Sequence, residues 1–433
     1  MSTACPPSSS TDLAADTAGA VPTGGGLPGW AVAALIAAVA GIGTEAFAVA
    51  PLLIDIAADF AMDVTDAALA ISAYGLAVAV SAPLFGLFAG HLPRRRLIAG
   101  GMVLAAVAGV IAATAHSFGV LLAARVLSGF ACGAVLPTIY AYVGDMVPFA
   151  ARGRVMGRVM FGWAITMVTG VPLAGIAGEH LGWRGTLFLA AGLILVLAMA
   201  VLRLPQPPSV ASRMGGVQQT AGHSGAGFLE RLAHAVTRPG VAALLATNLA
   251  NMVSFYGIYA YVGTALRMAQ GSGAAAAGGI VLWYGLGLAG STLNARLVDR
   301  VGKDRVLTLA LAVLAITLVA LPRVMGVPVA FQAVLILWGL AQGLVVTAVN
   351  TLATERAGLA RGLVMALMSA ITYLGISIGA GAMGLVMAAW GFGAVGIVAG
   401  VISLVGVVAA LVSSRRPCPS QLCPSGSTKT CPG

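Results

Sequence analysis

Twelve predominantly apolar runs, six on either side of a polar Pro/Gly/Ser/Gln-rich stretch from Pro205 to about Arg238, constrain this chain more than any other feature. They fall at about 30–54, 67–89, 97–115, 118–143, 155–178 and 185–204, then at about 241–266, 278–297, 306–321, 328–353, 361–387 and 392–412. Most are long enough, at ~1.5 Å of rise per helical residue, to cross a ~30 Å hydrocarbon layer. Inside such a layer no water satisfies the backbone, so a span of this kind must be a helix. The expected fold class is an all-α polytopic membrane protein with twelve transmembrane helices in two six-helix pseudo-repeats. The expected division is a disordered tail over 1–29, a six-helix bundle over 30–204, a cytoplasmic linker over 205–239, a second bundle over 240–412 and a disordered tail over 413–433. With 59% hydrophobic and only 8% charged residues, the chain departs from a soluble domain, in which about a quarter of residues are charged.

The basic residues orient the spans. With both ends inside, nineteen of the 23 Lys and Arg fall on inner loops and the tail, against Arg184, Arg267 and Arg323 on outer loops and Arg125 within a span. That asymmetry is the positive-inside pattern and places the chain in the cytoplasmic membrane as a multi-pass protein. It also accounts for the net charge of +10 without nucleic acid as a partner. Asp55, Asp59, Asp63 and Asp66 gather on the first outer connection and read as solvated acids.

Two ionisable residues stand inside spans: Glu45 in the first and Arg125 in the fourth. A charge at that depth costs several kcal/mol unless it is paired, faces a wet cavity or, for a carboxylate, takes up a proton. The opposite signs suggest a mutual relation, direct or through water. Glu45 is expected to carry a proton in an internal cavity. A static ion pair, or a packing or substrate-binding carboxylate that never titrates, would leave the same trace in the sequence.

The motifs add a resemblance. GLFAGHLPRRR, with Gly86, Arg94 and Arg95, and ARLVDRVGKDR, with Asp299, Arg300 and Gly302, resemble the signature loop of the major facilitator superfamily. In the first copy Gly90 stands where the family has Asp, and Pro93 where it has its second Gly. Arg125 and Gly129 resemble the family's R-x-x-x-G motif. Gly170, Pro172 and Gly175 resemble, in a G-V-P-x-x-G form, the glycine–proline pattern of its proton-exchanging exporters, where a kinked, closely packed helix can act as a hinge. GTEAFAVAPLLIDIAADF and LGWRGTLF resemble the drug and sugar efflux branch, which puts Glu45 on that branch's acidic first-span position.

The resemblance implies a secondary active transporter. It implies proton-coupled efflux of small amphipathic organic compounds, drug-like or metabolite, by alternating access, with Glu45 and Arg125 in proton coupling. Proton-coupled uptake, or export of a sugar, nucleoside or other polar metabolite, is the alternative; a non-transporting sensor is the reading from another class. Spans 1, 4, 7 and 10 line the cavity in the resembling family, which nominates Glu45, Asn248, Asn251, Phe255, Tyr256, Trp338 and Gln342, with Tyr373 from span 11, as substrate-binding residues. Asn350, Tyr74, Trp163 and Trp283 are secondary candidates. Tyr259 and Tyr261, near an outer end, read as interfacial belt residues. Neither Lys303 nor Lys429 sits in a Walker loop, so ATP drive is not expected, nor is an enzyme, a cofactor or a metal. Cys418, Cys423 and Cys431 read as free thiols of a polar tail. The expected partners are a small-molecule substrate, protons and the lipid bilayer, with the chain as a monomer.

Overall fold

In lipid the helix is the only open chain conformation that satisfies its own backbone, and breaks need a chemical cause. In the computed structural model, which describes residues 27–88, 92–206, 236–293, 301–357 and 361–414, the causes are visible. The first helix, α1 (Gly29–Phe47), ends because Pro51 has no N–H for the Phe47 carbonyl four residues before it. A 3-10 turn (Ala50–Leu52) leads into α2 (Leu53–Asp59). Then come α3 (Val64–Ala67), α4 (Leu69–Phe88), α5 (Arg94–Ala113), and α6 (Phe118–Met146), whose first turn is capped by the Ser117 hydroxyl accepting from the Val120 amide. Next, α7 (Phe149–Met160) and α8 (Gly162–Ile165) run into a π-helical turn (Thr166–Gly170), which opens where Pro172 lacks its N–H, and α9 (Val171–Val201) follows. The second half holds α10 (Val241–Gln270), α11 (Ala274–Leu293), α12 (Lys303–Val324), α13 (Pro328–Arg356) and α14 (Arg361–Ser414). Gly90, Asp299, Arg300, the three tail cysteines, most of the linker and nearly all of both tails lie outside the described residues.

Ten helical stretches among the described residues are long and apolar enough to cross a membrane. Two of them, Ala151–Val201 and Leu363–Ser414, have 51 and 52 residues, far more than one crossing needs. Each is broken at a glycine in the left-handed region, Gly182 at φ 69° and Gly391 at φ 75°, a conformation that side chains with a Cβ resist.

Helices meet where small residues let them. A Cβ on Gly339 of α13 would run into the Tyr284 carbonyl oxygen and the Leu288 nitrogen of α11, and one on Gly287 of α11 would run into the Ile336 carbonyl of α13. The two halves also touch at glycines: Gly175 of α9 faces Gly278 of α11, and Gly75 of α4 faces the Tyr373 carbonyl and the Ser377 nitrogen of α14.

At one end of the bundle the halves are joined by polar contacts. Arg267, in the last turn of α10, donates to both Asp55 carboxylate oxygens at 2.7 and 2.9 Å and to the Pro51 carbonyl at 3.1 Å. Glu179 of α9 accepts from the Ala275 amide in the first turn of α11 at 3.0 Å, as a carboxylate at a helix N-terminus should. The Tyr259 hydroxyl donates to the Phe47 carbonyl, the acceptor that Pro51 leaves free, at 3.0 Å. At the opposite end the described polar contacts tie helices of the same half. Arg94 pairs with Asp145 at 3.5 Å, Arg95 donates to the Leu204 carbonyl at 3.0 Å, and Arg356 pairs with Asp304 at 2.6 Å. Lys303 pairs with Glu355.

Two sequence expectations change here. Asp55 is not a solvated acid on a connection, because the chain stays helical to Asp59 and turns Asp55 towards Arg267; Asp59 stays exposed, on that helix and beside Arg184. Asp59 pairs with Arg184, whose guanidinium lies 4.2 Å from the Trp183 ring centroid and 5.7 Å from that of Phe60. Asp63 and Asp66 do remain exposed. Tyr259 and Tyr261 are not belt residues: both are buried, and Tyr261 donates to the Ala380 carbonyl at 2.6 Å. Hydropathy near a span end does not tell a ring facing a headgroup from one facing another helix.

Replacing Gly339 by Val should destabilise the fold by about 1–3 kcal/mol through forced separation of α11 and α13, read as a lower melting temperature of the purified protein. For the Asp55 end, spin labels on the exposed positions Ala58 and Met268 report its closure. Asp55→Ala should enlarge the long-distance population; an unchanged distance distribution would make the Arg267 pair incidental to closure.

Candidate substrate and proton site

Close helix contact builds the charged centre. Gly43 of α1 faces Thr166 in the π-helical turn, and Gly170 of that turn faces Thr44 of α1; a Cβ at either glycine would collide with the facing threonine. The Thr166 hydroxyl also donates to the Ala40 carbonyl at 3.1 Å, so the glycine of the exporter-like pattern serves to seat α1 against the irregular turn. Pro172 starts the regular helix beyond it, and Gly175 meets the second half.

Glu45, in the last turn of α1, pairs directly with Arg125 of α6; they are 3% and 1% exposed. One turn beyond Arg125, Gly129 lets α6 lie on the α4 backbone, since a Cβ there would meet the Tyr74 carbonyl oxygen and, at 2.9 Å, the Ala77 Cβ. That contact lays the Tyr74 ring under the guanidinium, 4.5 Å from centroid to Cζ. The pair is only partly satisfied: Glu45 Oε2, Arg125 Nε and Nη2, the Tyr74 hydroxyl and the Ser128 hydroxyl have no hydrogen-bond partner. A buried ion pair offsets its desolvation only when its remaining donors and acceptors are also bonded. This one therefore has bonding capacity to spare.

In the second half, rings gather between α10, α11 and α13. Phe255 lies 5.5 Å from Trp338 and 5.5 Å from Tyr284, and Tyr284 lies 4.8 Å from Trp338. The cluster reaches the first half through Phe47, 5.5 Å from Tyr256 and 5.1 Å from Tyr259. Rings therefore run without interruption from two residues beyond Glu45 to Trp338.

The nominated polar residues divide. The Asn248 side-chain amide nitrogen is taken up in packing, donating to the Met368 carbonyl at 3.2 Å and the Thr372 hydroxyl at 2.9 Å on α14. Asn251 (1% exposed) has neither amide atom bonded, and Gln342 Oε1 and Trp338 Nε1 are likewise without partners. Tyr373 lies between the halves at the α4–α14 contact, and Asn350 is half-buried. Trp163 donates to the Tyr140 hydroxyl at 3.3 Å.

Several participants were not nominated from sequence. Tyr284, rather than its neighbour Trp283, faces the ring cluster, a choice of helix face that an all-apolar span conceals. Phe47 and Tyr259 were missed for the same reason. In the first signature-like loop, Arg94 finds Asp145 at the end of α6 although the loop lacks the family's Asp. Gly86 falls in the last turn of α4, and Gly302, at φ 94°, directly precedes α12. Among the described residues no three His, Cys, Asp or Glu side chains group as a metal site would require.

Comparison with known proteins fits this arrangement. The family model described as Major Facilitator Superfamily matches residues 33–360 and 272–427. The uncharacterized MFS-type transporter YwfA of Bacillus subtilis (strain 168) is 33% identical over 328 residues, which are 74% of this chain and 77% of that protein. A chloramphenicol resistance protein of Streptomyces lividans is 33% identical over 183 residues, 42% of this chain and 47% of its own. Among solved structures, a bacterial homologue of the human lysosomal transporter Spinster, in an inward-facing and unoccupied conformation, superposes with a TM-score of 0.71 at 16% identity, covering 90% of this chain and 98% of that one. The human organic anion transporter MFSD10 (TETRAN) does so with a TM-score of 0.66 at 18% identity, covering 88% and 99%. The matched length and the shared helical fold lead to one conclusion: this chain belongs to the Major Facilitator Superfamily of membrane transporters.

Proposed function

We propose that this transporter exports small amphipathic organic compounds in exchange for protons, by alternating access, with Glu45 as the proton carrier. The observation that carries the reading is the buried, incompletely bonded Glu45–Arg125 pair, set where α1 breaks and one side chain away from the ring cluster. Protonation of Glu45 removes its charge and releases the guanidinium, which keeps the Tyr74 ring and has two further nitrogens, Nε and Nη2, free to take a new partner. Proton binding and the local hydrogen-bonding pattern are then one equilibrium. A substrate that favours the deprotonated pattern competes with the proton, which is the linkage that exchange requires.

The two signs of the bundle ends supply the rest. With each of the two glycine-broken helices counted as two crossings there are twelve spans, and the arginine excess at the Arg94 end favours that end inside and the Asp55 end outside, with both ends of the chain in the cytoplasm. The joined Asp55 end then corresponds to a state closed to the outside, and Arg267, Glu179 and Tyr259 form the outer gate. Gly175 and Gly278 are a contact that must part when the gate opens. The name of the chloramphenicol resistance relative favours export over uptake and a small organic cargo. The acting unit is the monomer in the cytoplasmic membrane.

In vesicles energised by an inside-acid pH gradient, Glu45→Gln should abolish gradient-driven chloramphenicol accumulation and flatten the pH dependence of any residual flux. Wild-type rate and pH profile in that variant would remove Glu45 from coupling. Arg125→Ala leaves a buried carboxylate without its partner and should cost about 3–5 kcal/mol of stability, seen as a depressed melting temperature. Adding Glu45→Gln to Arg125→Ala should restore most of that loss.

A further inference from the structure

Three of the second-half side chains with buried atoms that lack partners, Asn251, Trp338 and Gln342, fall together, apart from others such as Thr264 and Ser272 near the Asp55 end. Helices α10 and α13 run antiparallel, since Gly240, just before α10, lies against Arg356, the last residue of α13. The Phe255–Trp338 ring contact sets their register. Asn251 lies one turn before Phe255, and Gln342 one turn after Trp338, so both reach the same level on the side of the rings facing away from the Asp55 end. There the helices present Asn251 Nδ2 and Trp338 Nε1 as donors, and Asn251 Oδ1 and Gln342 Oε1 as acceptors, all buried and all unbonded.

Their burial makes the vacancy of bonding expensive. Buried polar atoms in native proteins are bonded in the great majority of cases, and unbonded ones call for a partner from elsewhere. Asn248, a turn below Asn251 on the same helix, shows the contrasting outcome, with its amide consumed by α14. Neither Asn251, Gln342 nor Trp338 carries a charge, and the one acid at the centre, Glu45, is already matched by Arg125. No uncompensated charge at this level would hold a charged ligand.

We infer that Asn251, Gln342 and Trp338 form a recognition subsite for an uncharged group with both a hydrogen-bond donor and an acceptor, such as a carboxamide or an amide beside a hydroxyl. The apolar body of the same molecule lies along Phe255 and Tyr256, towards Phe47 and the Glu45–Arg125 pair. The substrate class is therefore neutral amphipathic compounds, and lipophilic cations are excluded. This rests on the export reading above, which supplies the cargo but not its charge.

The test uses the full-length protein in nanodiscs and two probes. Chloramphenicol is neutral, with an amide and hydroxyl groups on an aromatic body; tetraphenylphosphonium is a permanent cation with four rings and no donor. Calorimetry should show chloramphenicol binding the wild type more tightly than tetraphenylphosphonium. Asn251→Ala, Gln342→Ala and the conservative Trp338→Phe should each weaken chloramphenicol about tenfold, as expected for loss of one buried hydrogen-bonding partner. Asn248→Ala should lower the melting temperature and leave the affinity in place. Tighter binding of the cation, no binding of chloramphenicol by the wild type, or unchanged affinity in the three subsite variants would overturn the inference, the last result leaving these atoms to buried water alone. Flux in vesicles separates this from the export reading. Gradient-driven chloramphenicol transport with unaltered affinity in Asn251→Ala defeats the subsite and leaves export standing. Affinity that follows the three residues, with flux indifferent to the gradient, defeats proton exchange and leaves the subsite standing.

Discussion

Helices in a bilayer gain nothing from hiding apolar surface from one another, because lipid is as apolar as leucine, so they hold together by close contact. In this transporter that contact is made at glycines, and the functional geometry depends on it. Gly129 brings α6 onto α4 and places the Tyr74 ring at Arg125. Gly43 and Gly170 let α1 and the π-helical turn interlock through Thr44 and Thr166. Gly339 and Gly287 bring α11 and α13 close enough for Tyr284 and Trp338 to share a ring contact with Phe255. The same property lets the halves touch at Gly175 and Gly278 without side chains interdigitating, so that contact can part with little repacking.

Polar groups mark a second division. At the two ends of the bundle and along the packing faces the chief groups are matched, Arg267 with Asp55, Glu179 with the first turn of α11, Asn248 with α14 and Arg94 with Asp145, even where single atoms such as Arg267 Nε and Arg95 Nε stay unbonded. Around Glu45 and Arg125, and again around Asn251, Trp338 and Gln342, they are not. Each unbonded buried atom costs free energy of a size comparable to a lost hydrogen bond, so both groups are costly to leave as they stand. One lies in each half, and the ring path from Phe47 to Trp338 connects them. A proton at one and a cargo group at the other would act through the same intervening rings.

Proline and glycine place the irregularities where these groups need them. Pro51 frees the Phe47 carbonyl, and the Tyr259 hydroxyl from the other half takes it. The break in α1 thus becomes part of the closed Asp55 end. Pro172 lies just beyond the π-helical turn that carries Thr166 and Gly170 and opens it. Both breaks lie within a few residues of the charged pair or its support, so movement of α1 or α9 at the gate is mechanically tied to the site.

The apolar runs, their length and the placement of arginine by themselves determined that this chain is a bundle of membrane-crossing helices, because lipid admits no other open backbone. The order of the motifs determined its family, and the mere presence of Glu45 and Arg125 in spans pointed to a relation between them, since a charge there needs a partner. The tertiary structure alone decided which polar residues are spent on packing and which are left over. Asn248 and Asn251 are three residues apart in nearly identical surroundings, and only the approach of α14 distinguishes them. Likewise Tyr284 rather than Trp283 joins the rings, Tyr259 faces the other half rather than a headgroup, and Asp55 closes an end rather than meeting solvent. When nearly every residue of a span is apolar the sequence carries no helix-face signal, so the face each side chain takes is set by which helix comes to lie against it.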